Sequence, residues 1–123
     1  MKFLGRFSSH IYAIMRIVVG FMFSCHGAQK LFGVLGGHGR VHEPMMLVAA
    51  IIEFAGGILI IVGFLTRFAA FIASGEMAFA YFTVHAPRNL FPLVNQGELA
   101  VLYCFIFLYI ASRGAVKWGI DRS

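Results

Sequence analysis

Three glutamates, two basic residues and two histidines fall within or at the ends of long apolar stretches of this chain: Glu53, Glu76, Glu98, Arg16, Lys30, His26 and His85. An ionised side chain at the centre of a bilayer costs about 2.5–3.5 kcal/mol, so such residues face a protein interior and find partners there. Two chemistries fit them. Lys30 with Glu53, or Arg16 with Glu76, can form ion pairs that do no more than fix helix register. The number of such groups exceeds what register requires, and together with Asn95 they outline a polar pocket that binds a ligand or moves protons, because carboxyl groups in a low-dielectric site serve as proton donors and acceptors. His26 and His85 lie near the outer ends of their segments and have the types of axial haem ligands. A histidine at a helix end more commonly hydrogen-bonds a neighbour, so haem is the weaker reading. His38 and His42 sit in a glycine-rich loop without further ligands, and no metal site is expected. Cys25 and Cys104 lie in separate segments with no CxxC spacing and read as small packing residues.

The elements that would position these groups follow from composition. Of 123 residues, 60% are hydrophobic and 12% charged, and the mean hydropathy is +0.86. That is about half the charge of a soluble domain. A helix needs roughly 20 mostly apolar residues to cross a hydrocarbon core, and such runs occur at about 11–32, 46–65, 67–85 and 97–112. Four helices nearly exhaust the chain, whereas the alternating strands of a membrane barrel are missing. The expected fold is all-α: one domain over 1–123, an integral membrane antiparallel four-helix bundle. The short "LTR" link forces helices two and three into a hairpin, and Pro44 is well placed to start helix two.

The net charge of +5 sorts by membrane side, which speaks against a nucleic-acid partner. Lys2, Arg6, Arg67, Arg113, Lys117 and Arg122 fall at the termini and second loop, against Arg40 and Arg88 in the first and third loops. The positive-inside rule then puts both termini in the cytoplasm of a bacterial-type plasma membrane, with the chain crossing several times. The first segment carries Arg16 and no small-residue cleavage site follows it, so it is expected to remain in the mature protein. On this scale Arg16 lies in the inner half of helix one and Glu76 near the middle of helix three. Glu53 lies just outside the middle of helix two, and His26, Lys30, His85, Asn95 and Glu98 lie further out.

Helical phase places Arg16, Gly20, Phe23, Gly27 and Lys30 on one seam of helix one. On helix two, Gly56 and Gly57 follow Glu53 by three and four residues, with Gly63 beyond. Small residues let membrane helices approach closely, so Gly20, Gly27, Gly56, Gly57 and Gly63 are the expected packing positions. The third loop, "HAPRNLFPLVNQG", has two prolines and interspersed apolar residues, as a folded outer cap would.

At "GAQKLFG", "EFAGGILIIVGFLTRFAA", "MAFAYFTVHAP" and "NQGELAVLYCFIFL", in that order and spacing, the chain resembles the DoxX family of small four-helix membrane proteins, from about Arg16 to Asp121. The family-typical positions are Lys30, Glu53, Gly57, Arg67, Asn95 and Glu98. The resemblance implies a link to membrane redox chemistry, since the family takes its name from a subunit of a thiosulfate:quinone oxidoreductase. The cofactor it implies is therefore a quinone. The chain shows no cysteine pair or added soluble domain to receive electrons from thiosulfate, so at most it is a subunit of a quinone-linked oxidoreductase.

Three readings stand. In the first, a quinone-linked redox-associated subunit, Lys30 or His26 hydrogen-bonds a quinone oxygen while Glu53 or Glu98 handles protons. The second is a non-catalytic structural or assembly subunit that docks through its glycine face and third loop. The third is a small proton-coupled transporter. All imply the lipid bilayer as surroundings, and other membrane subunits or a second copy as partners.

Overall fold

The computed structural model describes residues 2–33, 43–95 and 97–121, without the Asn95 side chain. His38, His42, Arg40 and Arg122 lie outside these residues, as does the Asn95 side chain. Among the described residues there are helices and no strands. In chain order they are α1 (Lys2–Arg6), α2 (Ser8–Phe32), α3 (Pro44–Val62), α4 (Thr66–Ala80) continuing into a π-helical turn (Tyr81–His85), α5 (Pro92–Asn95) and α6 (Glu98–Arg113).

Helix boundaries follow local chemistry. α3 starts at Pro44, whose missing N–H costs nothing in a first turn. It stops at Val62, short of the expected 65, because Gly63 takes a left-handed conformation with φ +68. Gly33 ends α2 in the same way, donating its N–H to the Gln29 carbonyl. α2 begins at Ser8, earlier than the expected 11. The third run is helical through His85 as expected, but its last five residues widen into a π turn in which the Ala86 N–H reaches the Tyr81 carbonyl at 2.8 Å. Such turns are uncommon and gather at functional sites.

α2 lies along α3, α4 along α6, and α3 and α4 form the hairpin. Phe23, Ile60, Phe107 and Ile110 fill the interior together with the small residues Ala69, Ala70 and Ala73. The outward faces are apolar too. Phe68, Phe71, Phe82 and Phe105 are each more than 60% exposed, far from the polar coat of a soluble monomer. Two helices, α2 and α3, are long and apolar enough to cross a membrane by length and composition.

Candidate functional site

Glu53 is 1% exposed in the middle of α3, and one carboxyl oxygen, Oε2, lies 2.5 Å from Lys30 Nζ of α2. Glycine makes this contact geometrically accessible. A Cβ on Gly27, one turn before Lys30, would run into the backbone N, Cα and Cβ of Phe54, the residue after Glu53. A Cβ on Gly57 would fall 2.6 Å from the Gly20 carbonyl and 2.7 Å from the Ser24 nitrogen, and one on Gly20 would fall 2.9 Å from the Gly57 carbonyl. Three glycines thus draw α2 onto α3 until the two charges meet. Gly56 is buried, but a Cβ there meets nothing within 4 Å, so it does not set this approach. Gly63 packs against Gly119 of the C-terminal tail.

Glu76 of α4 adds a second carboxyl to the pair, within range of both Glu53 and Lys30. These three, His26 of α2, His85 of the π turn and Tyr103 of α6 line one cavity of about 380 Å³. Its remaining walls are apolar, with Phe23 and Met77 inside and Met46, Val84 and Leu99 at partly exposed positions. Tyr103 stacks on Phe107 with ring centroids 5.5 Å apart and meets the edge of His26 at 6.0 Å. As carboxylates, Glu53 Oε1 and Glu76 Oε1 are buried without a donor among the described residues, as is the Tyr103 hydroxyl without a partner; a proton on one carboxyl would let the two glutamates hydrogen-bond each other. Each such atom costs about 1–3 kcal/mol, and all three belong to residues of this cavity. One ammonium also cannot neutralise two carboxylates, so the site carries an excess negative charge unless a proton or a cation joins it.

Five of the eight sequence-expected pocket residues therefore share the cavity: His26, Lys30, Glu53, Glu76 and His85. Arg16 does not. It lies on the seam of Lys30 but 14 residues away, roughly 21 Å along the axis, and it does not pair with Glu76. Its guanidinium instead donates to the carbonyls of Ile60 (2.5 Å), Ile61 (3.0 Å), Lys117 (2.7 Å) and Trp118 (3.0 Å). Glu98 also stands outside. The buried stripe of α6 runs Ala100, Tyr103, Phe107, Ile110, and Glu98, two residues before Ala100, turns to the exposed side of the first turn, where a negative charge complements the helix dipole. The sequence reading passed over Tyr103. Its signal was a hydroxyl-bearing side chain on the buried three-and-four-residue stripe of α6.

The end remote from the cavity is fastened by the tail. Tyr12 donates to the Gly114 carbonyl at 2.7 Å, and Arg67 caps the last carbonyls of α6 at Ala111, Ser112 and Arg113. Val116 and Trp118 hold left-handed conformations, φ +68 and +55, which side chains other than glycine rarely adopt. The Arg16 bonds to Lys117 and Trp118 hold that stretch in place. Asp121 accepts from the Thr66 N–H at 2.8 Å and the Leu65 N–H at 3.0 Å, capping α4, and the Thr66 bonds hold its carboxyl below the usual carboxylate range.

No solved structure matches this chain. An uncharacterized protein of Haemophilus influenzae is 44% identical over 129 residues, covering 99% of this chain and 96% of its own length. The family model of DoxX matches residues 11–86, which take in Arg16 and the five charged or histidine residues of the cavity but end before Tyr103 and Glu98. By that match and the apolar helices that accompany it, the chain is a membrane protein and belongs to the DoxX family.

Proposed function

We propose that this chain is a single-domain, multi-pass subunit of a bacterial-type plasma membrane, and that its cavity holds the head group of a quinone in a redox-associated complex. The observation that carries this reading is the convergence of three buried, unpartnered polar atoms on Glu53, Glu76 and Tyr103 in one cavity with aromatic and apolar walls. Ligand sites commonly have this character: a few hundred Å³, mostly apolar, with a small number of placed polar groups. A quinone, when bound, supplies two-electron, two-proton redox chemistry. The chain contributes the surroundings. Lys30 and His26 are placed to donate hydrogen bonds to a ring oxygen, Glu53 and Glu76 to hold and pass protons, and the apolar walls to limit water. Glu76 replaces Glu98 in the proton-handling role, since Glu98 is exposed and off the cavity.

In this reading α2 and α3 cross the bilayer, joined by the 20-residue helical stretch of α4 and its π turn (15 plus 5 residues) and by α6. At 16 residues, α6 is roughly 24 Å long and needs a locally thinned bilayer. The tail end carries Lys2, Arg6, Arg67, Arg113 and Lys117 and faces the cytoplasm, so the cavity opens toward the outer half. The test is native mass spectrometry of protein gently extracted from its own membrane, followed by quinone binding to the wild type and Glu53→Gln. A retained or rebound quinone that the substitution weakens is the expected result. Unchanged binding and unchanged quinone-dependent turnover in Glu53→Gln would remove the assignment.

A non-catalytic assembly subunit is the second reading, favoured by the apolar outer cap around α5, where Leu90, Phe91 and Leu93 are 71%, 68% and 80% exposed. Its docking surface would be this cap. Gly20, Gly27 and Gly57 are already used in the contact of α2 with α3 inside the chain.

A further inference from the structure

The cavity is sorted by polarity from its inner wall to its mouth. Glu53 and Tyr103 are 1% and 4% exposed, and the other polar lining residues, His26, Lys30, Glu76 and His85, are half-buried. The lining residues that reach the surface outright are Met46 near the start of α3, Val84 in the π turn and Leu99 in the first turn of α6, at 39%, 51% and 47% exposure. These three apolar side chains form the rim. A mouth that faced water would carry its polar groups outermost, since wetting apolar surface and burying polar groups both cost free energy; here the order is reversed. The rim continues into the outward faces of the same elements, where Met45, Phe82 and Leu102 are exposed. Thr83, the exposed polar residue beside Val84, donates its hydroxyl to the Phe79 carbonyl at 2.7 Å and so asks nothing of the surroundings.

The segment between Val84 and Leu99 extends this apolar surface past the rim. The Tyr81 hydroxyl donates to the Leu90 carbonyl at 2.6 Å and ties the segment to the π turn, while Leu90, Phe91, Leu93 and Val94 are each more than 60% exposed. They supply hydrophobic length that the 16 residues of α6 lack. Glu43, Arg88 and Glu98 are exposed at the same end and suit the headgroup level. We infer that the cavity opens sideways into the outer leaflet, with the cap immersed beside it, and that its ligand enters head first from the lipid and leaves an apolar tail lying across Met46, Val84 and Leu99. This rests on the quinone reading of the same site and adds the class of quinone to it: one with a long hydrocarbon chain, drawn from the bilayer and not from water.

Two measurements test it, the first independent of any ligand. In the full chain carrying Cys25→Ala and Cys104→Ala, a nitroxide is attached at Val84→Cys, Leu93→Cys or Leu99→Cys and the protein is reconstituted into phosphatidylcholine vesicles. Relaxation by oxygen, which concentrates in hydrocarbon, should exceed relaxation by a water-soluble nickel chelate several-fold at all three positions, with the reverse order at Arg88→Cys. Nickel dominance at any of the three overturns the inference, and low access to both reagents means that protein covers the mouth and overturns it as well. The second measurement is equilibrium binding in the same vesicles, with affinities referred to the ligand concentration in the bilayer, of a decyl-substituted benzoquinone and of the same ring bearing a methyl group. Wild type should bind the decyl ligand at least as tightly. Leu99→Asp, at an exposed first-turn position where a carboxylate suits the helix dipole, should weaken the decyl ligand about tenfold more than the methyl one, as two methylenes losing apolar contact would. Val84→Asp should show the same selective loss. Equal losses for the two ligands overturn the tail path and leave the quinone site standing. Binding of neither ligand to the wild type overturns the quinone reading itself, while the nitroxide measurement still decides where the cavity opens.

Discussion

Gly27 and Gly56 are both buried glycines in the interior of long helices, yet the structure requires opposite responses to the same substitution. Gly→Ala within a helix gains about 0.8–1 kcal/mol from backbone propensity. At Gly56 nothing opposes that gain, since the added methyl finds open space within 4 Å. At Gly27 the methyl meets the Phe54 Cα at 2.7 Å and its Cβ at 2.8 Å, along with the Phe54 nitrogen. These atoms belong to another helix and cannot swing aside as the end of a flexible side chain would. Restoring ordinary contact means moving α3 away from α2 by about 1 Å, and overpacking of this kind costs about 1–3 kcal/mol. The propensity gain is common to both variants, so the difference between them isolates the steric cost. Gly56→Ala should be more stable than wild type by about 1 kcal/mol, and Gly27→Ala less stable than Gly56→Ala by about 1–3 kcal/mol. The same shift lengthens the Lys30 to Glu53 contact beyond hydrogen-bond range, so Gly27→Ala should also weaken ligand binding while Gly56→Ala leaves it alone. Reversible unfolding in mixed micelles reads the first effect and a quinone-binding measurement the second. Equal stability of the two alanine variants would refute the claim that the glycine seam sets the distance between the two charges.

Lys30→Met leaves Glu53 buried without its cation and should destabilise the fold by about 3–5 kcal/mol; the double variant Lys30→Met/Glu53→Leu should recover most of that loss in the same unfolding assay. Arg16→Met removes the donor to four carbonyls and frees the strained tail, so limited proteolysis should cut after Lys117 much faster than in the wild type, whereas an unchanged cleavage rate would contradict the latch. For Asp121, the Thr66 and Leu65 N–H groups favour the ionised form in the folded state, and its folded pKa lies below the unfolded one. The stabilisation is therefore present above the unfolded carboxylate pKa, about 3.9, and is lost as pH falls through the lower, folded value. Melting followed from pH 7 down to pH 3 should show a smaller acid-induced loss in Asp121→Asn than in the wild type. Glu98→Gln should shift stability by less than about 1 kcal/mol and leave quinone affinity unchanged, which a pocket role for Glu98 would not allow.

How much of this was legible beforehand depends on whether a contact is local or distant in sequence. The α2 seam and its glycines follow from spacing on one helix, and Lys30 with Glu53 follows from two helices that must run antiparallel at a matching depth. Pro44 marked a helix start for a reason intrinsic to proline. What spacing does not reveal is which carbonyls a long side chain will reach. Arg16 shares a phase with Lys30, but its partners come from the end of α3 and from a tail that folds back across it. Glu98 falls outside the cavity because its phase turns it off the buried stripe of α6. Tyr103 was missed because a tyrosine in an apolar stripe reads as packing until its hydroxyl is found without a partner. The π turn has no sequence signature at all, since the i to i+5 bond requires only that one residue be accommodated in excess.

The two ends of the molecule use their polar groups differently, and the contrast bears on what the buried carboxyls are for. At the tail end, the guanidinium of Arg16 meets four carbonyls, Arg67 meets three, and Asp121 two N–H groups. These bonds tie segments more than 40 residues apart, as a structural fastening should. In the cavity the arrangement is under-satisfied: Lys30 holds one oxygen of Glu53, and other buried polar atoms on Glu53, Glu76 and Tyr103 have no partner. A chain that needed only helix register could use the single Lys30 to Glu53 pair, with leucine at 76 and phenylalanine at 103, and avoid about 1–3 kcal/mol for each orphaned group. The glycine seam also brings Lys30 to Glu53 from one side only, which leaves the other carboxyl oxygen turned away from its cation. Unpartnered buried atoms occur at the tail end too, on His10, Arg16 and Thr66, but only those of Glu53, Glu76 and Tyr103 belong to residues that line one cavity, where a bound molecule would meet them.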